Sequence, residues 1–225
     1  MTGLIVALDT ADPAVARRWA DAVTPHCAIL KLGLEFMLAC GPDGIRGVRQ
    51  RPVFLDLKLH DIPNTVASAV RAVLPLQPRM LTLHAGGGGA MIEAARRAAG
   101  TSTPPLLLAV TVLTSLDSSA LHATGVAGGP RQQVLRLARL AVAAGADGLV
   151  CSAHEVAMLR DALGSGPVLV TPGIRPAGSD SADQARTMTP AEAAQAGADW
   201  IVVGRPITGA ADPGAAAAAI AQELA

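Results

Sequence analysis

The chain has 225 residues, of which 51% are hydrophobic, so it is long enough for one α/β barrel or for one to two smaller domains with a substantial core. Its 18 basic residues balance its 18 acidic ones, and no basic stripe or acidic tail occurs, which argues against a nucleic-acid polymer as partner. The three cysteines are widely spaced, with no CxxC pair and no histidines at metal-ligand spacing, so neither a disulfide framework nor a metal site is expected.

The N-terminal end predicts neither a secretory signal nor a membrane anchor. Its apolar stretch, residues 4–8, follows no basic segment and ends at Asp9. The longest uncharged stretch, residues 98–116, contains Gly100 and two adjacent prolines, which is typical of a turn and a buried strand rather than of a membrane span. We therefore expect a cytoplasmic protein without a membrane partner.

Short runs rich in Val, Ile and Leu alternate along the chain with Ala- and Arg-rich stretches of helical period. The predicted strands are residues 3–9, 28–33, 52–59, 79–85, 105–113, 147–152, 167–171 and 199–204. The predicted helices include residues 13–23, 63–74, 90–99, 131–144, 153–163, 190–195 and 213–224. Residues 106–110 are continuously apolar, a pattern typical of parallel strands that are buried on both faces.

An internal repeat supports this alternation. The sequence Ala-Gly-Ala-Asp occurs at residues 144–147 and again at 196–199, each time directly before an apolar run. A glycine that ends a helix just before a strand fits both copies. Their spacing corresponds to two strand–helix units, and eight such units nearly fill the chain. The fold class is therefore predicted as α/β, a (β/α)8 TIM barrel that forms a single domain over residues 1–225, with an open doubly wound sheet as the alternative.

Polar residues stand at the predicted carboxyl ends of the strands, where barrels of this kind carry their active sites. These residues are Asp9, Lys31, Asp56, Lys58, His84, Thr114, Ser152 and Arg205. Two of them are the chain's only lysines, whereas the whole chain has sixteen arginines. Lysine can lose a proton near neutral pH when its surroundings demand it, whereas arginine stays charged. The placement of both lysines at strand ends indicates proton chemistry.

Asp56 and Lys58 form the centre of this cluster. They are two residues apart on one strand and so point to the same side, with Phe54 below them as a floor. Asp9 and Lys31 from neighbouring strands would complete an alternating array of carboxylates and ammonium groups, which hold each other ionised. A buried structural ion-pair network is the alternative, although buried charge is a poor source of stability.

Asp61 lies just beyond the same strand, before Pro63, which fits the first turn of a helix. It is too far past the strand to share the inward face of Asp56 and Lys58. From its position alone, Asp61 is interpreted as a turn or helix-capping residue.

The run Phe-Leu-Asp-Leu-Lys-Leu-His-Asp-Ile-Pro-Asn-Thr at residues 54–65 resembles the signature of the orotidine 5′-phosphate decarboxylase family, the last enzymes of de novo UMP synthesis. Further matches follow in the expected order along nearly the whole chain. They lie at residues 7–9, 31–33, 113–115, 171–175, 183–184 and 204–206.

The resemblance implies a (β/α)8 barrel that acts on orotidine 5′-monophosphate as a homodimer, with no metal and no organic cofactor. It implies that Asp56 and Lys58 flank the scissile carboxylate and that Lys58 stabilises and protonates the carbanion at C6. Asp61, as a third catalytic residue, and Thr65 would reach the partner subunit's site.

The same resemblance assigns the remaining substrate contacts. Asp9 and Lys31 would bind the ribose hydroxyls, and Thr114 would lie near the pyrimidine. Loops after strands 7 and 8 are the usual phosphate site of such barrels. The candidate phosphate-binding residues there are Arg175, Gln184, Gly204 and Arg205, and Pro172 is a further candidate for substrate binding. The polar stretch at residues 173–189 is interpreted as a lid over the phosphate, with an idle surface loop as the alternative.

Other features are given structural interpretations. The four glycines at residues 86–89 lack the P-loop lysine and are predicted to form a tight turn into the next helix. His84 is expected to be structural, and nothing near Glu35 completes a metal site.

Rival functions remain. A magnesium-dependent decarboxylase or aldolase for sugar phosphates would need an acidic metal ligand at the end of strand 2, where this chain has Lys31. A nucleotide-binding barrel without catalysis would require the loss of a charged residue from the barrel mouth, and none is missing. A Schiff-base aldolase fits less well, because a lysine between Asp56 and Asp61 should stay protonated.

Overall fold

The computed structural model describes residues 1–176 and 188–224. Within these residues eight parallel strands close into a barrel in chain order, with β8 pairing with β1. The strands are β1 (Gly3–Ala7), β2 (Ile29–Gly33), β3 (Val53–Leu59), β4 (Met80–His84), β5 (Leu106–Val110), β6 (Gly148–Val150), β7 (Val168–Thr171) and β8 (Trp200–Val203). The predicted (β/α)8 barrel is confirmed, and the alternative of an open sheet is wrong.

Helices follow the strands and cover the outside of the barrel. They are α1 (Pro13–Val23), α2 (Leu34–Arg46), α3 (Pro63–Val73), α4 (Gly89–Ala99), α5 (Ser118–Ala123), α6 (Pro130–Ala143), α7 (Val156–Leu163), α8 (Pro190–Gln195), α9 (Arg205–Thr208) and α10 (Pro213–Glu223). Short 3-10 turns lie at Leu74–Leu76, Ala85–Gly87 and Ala153–Glu155. Among the described residues, no helix is both long and apolar enough to cross a membrane.

Local sequence explains where several helices begin. Pro13 occupies the first turn of α1, where the missing N–H removes no hydrogen bond. The Asp12 carboxylate caps this helix by accepting hydrogen bonds from the amides of Ala14 and Val15. The boundaries predicted for α1 and α8 are confirmed at both ends.

Helix α2 was not among the predicted helices. It contains Gly41, Pro42 and Gly44, residues that normally interrupt helices, and the backbone at Gly41 adopts a φ of 60°. Two helical segments meet at this kink. The burial of Phe36 and Ile45 shows that packing against the barrel holds both segments in place.

The apolar core has two layers, one inside the barrel and one between the barrel and its helices. Inward-facing side chains fill the barrel below its carboxyl end: Ile5, Ala7, Ile29, Phe54, Met80, Leu108, Val170 and Val202. The alternate residues of the strands join the larger outer layer beneath the helices. Strands buried on both faces explain the continuously apolar runs of the sequence.

Strand β3 is irregular at its carboxyl end. Leu55 pairs with Leu81 of β4, but the next paired residue on β3 is Leu59, opposite Leu83. Four steps along β3 therefore face two along β4, which is the pattern of a β-bulge. Lys58 lies in this bulge with a φ of 49°. The prediction that Asp56 and Lys58 share one side is met, but through a bulge rather than by regular alternation.

Candidate active site

A cavity of about 470 Å³ opens at the carboxyl ends of the strands. Phe54 forms part of its floor, as expected from the sequence. Its walls include nine of the predicted site residues: Asp9, Lys31, Asp56, Lys58, Thr114, Pro172, Arg175, Gly204 and Arg205. The barrel therefore brings residues from six different strand ends into one site.

The charged residues form a chain of alternating sign across the cavity. The Lys31 Nζ atom lies 3.0 Å from Asp9 Oδ1 and 3.5 Å from Asp56 Oδ2. The Lys58 Nζ atom lies 2.8 Å from each carboxylate oxygen of Asp56. The Lys58 side chain is 31% exposed, whereas that of Lys31 is only 10% exposed. Lys58 is thus the lysine with more access to a molecule in the cavity.

Asp56 remains ionised despite its position in the barrel. Burial alone would raise the pKa of its carboxyl group, but nearby positive charge outweighs that effect. The ammonium groups of Lys31 and Lys58, together with hydrogen bonds from Lys58 and Thr82, leave the pKa of Asp56 below its usual value. The site therefore presents an anionic carboxylate directly beside a cationic amine.

Thr82 contacts this cluster and was not predicted from the sequence. Its hydroxyl donates a hydrogen bond to Asp56 Oδ1 at 2.9 Å and accepts one from the Lys58 amide at 2.8 Å. The prediction considered polar residues at strand ends, whereas Thr82 lies inside β4. The signal that could have identified it is its two-residue spacing from Met80, which faces the barrel interior.

Asp61 and Thr65 do not line the cavity. Both are exposed, and the Asp61 carboxylate accepts a hydrogen bond from the Ile62 amide at 2.6 Å. Asp61 instead borders a separate open groove with His60, Ile62, Pro63, Gly86 and Gly87. Within one chain, these two predicted site residues are therefore not part of the charged cluster.

His84 lies beside this groove rather than in the cavity, and its ring centroid is 5.3 Å from that of His60. Burial lowers the pKa of His84, and the neighbouring His60 and Lys58 lower it further against the opposing effect of Asp56. The glycines at residues 86–89 form the predicted turn into α4.

The opposite side of the cavity contains the predicted phosphate-binding groups. Arg175 is buried, and its main-chain N–H donates to the Met188 carbonyl at 2.9 Å. Gly204 and Arg205 follow β8 directly. Gln184 and most of the predicted lid, at residues 177–187, lie outside the described residues. Among the residues that are described, no three His, Cys, Asp or Glu side chains form a group that could hold a metal ion.

Comparison with known proteins gives a consistent result. A family model described as "Orotidine 5'-phosphate decarboxylase / HUMPS family" matches residues 2–220. A curated relative named orotidine 5'-phosphate decarboxylase, from Gluconobacter oxydans (strain 621H), is 60% identical and aligns over 100% of this chain and 98% of its own. A relative of the same name from Anaeromyxobacter dehalogenans (strain 2CP-1 / ATCC BAA-258) is 57% identical, over 98% of this chain and 97% of its own.

Solved structures agree with the sequence relatives. The crystal structure of orotidine 5'-phosphate decarboxylase from Lactobacillus acidophilus superposes with a TM-score of 0.88 at 39% sequence identity. The match covers 100% of this chain and 99% of that one. The similarity thus extends over the whole barrel rather than over the signature run alone.

Proposed function

Because the chain belongs to the orotidine 5′-phosphate decarboxylase / HUMPS family, we propose that it converts orotidine 5′-monophosphate to UMP without a cofactor, with Lys58 as the group that stabilises and protonates the carbanion. The observation that carries this proposal is the Lys58 ammonium group, held 2.8 Å from Asp56 in the wall of the cavity. The pyrimidine would enter this cavity with its carboxylate toward that pair.

The chemistry of the reaction requires charge at this point. When the bond between C6 and its carboxylate breaks, CO2 leaves and the electron pair remains on C6, where the ring offers no obvious electron sink. A positive charge fixed in advance beside C6 stabilises that pair more effectively than mobile solvent does. A proton then passes from Lys58 Nζ to C6, and the amine regains a proton from solvent.

Asp56 has a supporting role in this proposal. Its carboxylate contacts both lysines, so it orients the Lys58 amine and keeps that amine cationic until the carbanion forms. Asp61 would supply a second carboxylate to the amine, but from the partner subunit.

The rest of the substrate would span the cavity. We assign the ribose hydroxyls to Asp9 and Lys31 and the pyrimidine edge to Thr114. The phosphate would lie at the far side, where Arg175 and Arg205 supply guanidinium groups. Gly204 and Gln184 are proposed as further phosphate contacts, and Pro172 as a further substrate contact.

The position of Asp61 and Thr65 supports the proposal of a homodimer. Both are exposed, and Ile62, which lies next to Asp61 in the chain, is a large apolar residue that also faces solvent. Ile62 is 66% exposed and Leu38 on α2 is 83% exposed. Covering exposed apolar side chains such as these would favour association with another chain. We propose that a second copy covers them and receives Asp61 and Thr65 in its own cavity.

A magnesium-dependent reaction on a sugar phosphate is less well supported. Lys31 stands at the end of β2 and contacts both Asp9 and Asp56, the carboxylates nearest to it. An ammonium group in that position repels a divalent cation. Activity that is insensitive to a chelator is therefore expected.

The proposed function is tested by following the absorbance of orotidine 5′-monophosphate with the wild-type chain and with Lys58→Ala. The wild type should consume the substrate, and the variant should be slower by at least about a thousandfold, since it loses both the fixed charge and the proton donor. Circular dichroism and titration with UMP serve as controls for folding and for binding. A wild-type chain that leaves the substrate unchanged, or a variant with substantial turnover, would contradict the proposal.

A further inference from the structure

The backbone at Lys58 requires an explanation of its own. Lys58 lies in the bulge of β3 with a φ of 49°, a left-handed conformation that is disfavoured for residues with a Cβ atom. Such a conformation persists where surrounding contacts hold it, and it is most common at functional sites. The contacts that hold this bulge therefore fix the position of the Lys58 Cα atom, from which its side chain extends.

One of those contacts comes from Thr82 on the neighbouring strand. The Thr82 side chain is fully buried, and its hydroxyl accepts the Lys58 N–H at 2.8 Å. The same hydroxyl donates to Asp56 Oδ1 at 2.9 Å. An amide N–H can only donate and an ionised carboxylate can only accept, so a hydroxyl is the group that can join them.

We propose that Thr82 is a positioning residue whose hydroxyl holds the bulge of β3 and the Asp56 carboxylate together and thereby sets where the Lys58 amine meets the reacting carbon. The inference depends on the role of Lys58 proposed above. Thr82 holds both ends of the Lys58 residue. It binds the main-chain amide of Lys58 directly, and it binds the Asp56 carboxylate that the Lys58 amine contacts.

The other buried threonines that the structure describes, Thr111 and Thr171, do not have this arrangement. The Thr111 hydroxyl donates to the Val150 carbonyl at 3.2 Å, and the Thr171 hydroxyl donates to the Trp200 carbonyl at 3.2 Å. Each of these bonds joins a side chain to the main chain of an adjacent strand. Thr111 is accordingly a matched control: a buried strand-end hydroxyl without a charged partner.

The test compares Thr82→Val, which keeps the shape and loses the hydroxyl, with Thr82→Ser, which keeps the hydroxyl. We expect kcat of Thr82→Val to fall about a hundredfold, the size of effect that a small misplacement of a reacting group produces. KM and the affinity for UMP should change little, because the ribose and phosphate contacts are untouched. Thr82→Ser should restore most of kcat, and Thr111→Val should retain wild-type kcat.

A second readout is the pH dependence of kcat. The hydrogen bond from Thr82 is one of the interactions that keep the pKa of Asp56 low. Its removal raises that pKa, so the acid limb of the profile should move to higher pH in Thr82→Val and stay in place in Thr111→Val. A purely structural threonine would not move this limb.

Several outcomes would overturn the proposal. Thr82→Val with wild-type kcat and an unshifted acid limb would do so, as would equal impairment of Thr82→Val and Thr82→Ser. If Thr82→Val does not fold, Thr82→Ala and Thr82→Ser form the informative pair, since they differ only in the hydroxyl. A wild-type chain without decarboxylase activity would refute the proposed function instead. The positioning would then be tested by a crystal structure of Thr82→Val, in which an unchanged Lys58 φ and Lys58–Asp56 distance would contradict it.

Discussion

At the scale of single residues, His84 is a half-buried base beside His60 and Lys58. Burial disfavours its protonated form, and His60 and Lys58 add to that effect, so its pKa in the folded chain is below the ordinary value of 6.5. The unfolded chain therefore binds a proton at this residue more readily than the folded chain does in the pH range below 6.5. Above pH 6.5 His84 is neutral in both states, so the folded chain has its full stability there. That stability is lost as the pH falls from 6.5 through the pKa of the folded state.

The His84→Gln variant should weaken the dependence of folding stability on pH. Between pH 7.5 and pH 5.5 the wild-type chain is expected to lose more of its free energy of unfolding than the variant, because glutamine has no proton to bind. Urea unfolding at both pH values measures the two losses. Asp56 has a lowered pKa as well, but it acts near and below its ordinary value of 3.8 and so outside this range. Equal losses in the two proteins would show that His84 does not contribute.

Whether a site residue could be predicted from the sequence depends on where it lies in the fold. Asp9, Lys31, Asp56 and Lys58 stand at or near the ends of apolar runs, so the order of strands alone brings them to one cavity. Thr82 could not be found in this way, because its contacts depend on the pairing of β3 with β4 across a bulge. A bulge changes which residues are opposite each other, and no local pattern in residues 52–59 indicates it.

At the scale of elements, the repeated Ala-Gly-Ala-Asp sequence marks a recurring junction at the amino end of the barrel. In the first copy, Asp147 Oδ2 accepts hydrogen bonds from the Leu107 amide at 2.8 Å and from Arg96 at 2.9 Å. Arg96 also donates to the Gly100 carbonyl after α4. One carboxylate thus joins the start of β5 to a helix and to the segment before β6.

The second copy repeats this arrangement. Asp199 Oδ2 accepts from the Leu169 amide at 2.7 Å and from Arg160 at 2.6 Å. Arg160 also donates to the carbonyl groups of Gly197 and Pro167. The two copies of the repeat therefore share one arrangement. In each, an aspartate paired with an arginine joins the starts of two consecutive strands.

The Asp199→Ala variant should lower the free energy of unfolding by about 2–3 kcal/mol, because it removes the acceptor of the Leu169 amide and the carboxylate that pairs with the Arg160 guanidinium. Glu93→Ala is the matched control, since Glu93 and Arg97 form an exposed pair on one helix at 3.7 Å whose loss should amount to less than about 0.5 kcal/mol. Urea denaturation compares the two. Because the junction lies at the opposite end of the barrel from the cavity, kcat of the folded Asp199→Ala protein should be unchanged. A loss no larger than that of the control would contradict this account.

Element boundaries were predictable where local chemistry is strong and were missed where packing decides. Proline with a side-chain cap marks the start of α1 and of α8. The glycines and the proline inside α2 argue against a helix when taken alone, and only the burial of its apolar residues on the barrel reverses that preference. Residues 111–113 continue the apolar run of β5, yet the strand ends at Val110, and Val112 and Leu113 line the cavity instead.

At the scale of the whole molecule, the Lys58 amine contacts one carboxylate, that of Asp56, among the residues that the structure describes. Asp61 is exposed and borders a groove outside the cavity. The second carboxylate proposed beside Lys58 would therefore come from another copy of the chain, and Ile62, which is 66% exposed next to Asp61, would lie in the interface with that copy.

Hybrid dimers test this arrangement directly. Lys58→Ala and Asp61→Ala should each be inactive as pure proteins, since every site in them lacks either the amine or the second carboxylate. In a mixture that has exchanged subunits, each mixed dimer contains one site with an intact Lys58 from one chain and an intact Asp61 from the other. If equal amounts pair at random, activity should return to about one quarter of the wild-type value, the share of sites that are complete in a two-fold symmetric assembly.

The mixture is measured after mild unfolding and refolding together, with the two proteins refolded separately and then combined as the control. Light scattering checks that dimers have formed in both samples. Recovery that appears only in the co-refolded sample would mean that the two residues act in the same site from different chains. If dimers form but the co-refolded mixture is no more active than the separately refolded control, Asp61 either acts on the Lys58 of its own chain or has no part in the reaction. Activity of the pure Asp61→Ala protein separates these two cases, because a residue outside the reaction would leave that protein as fast as the wild type.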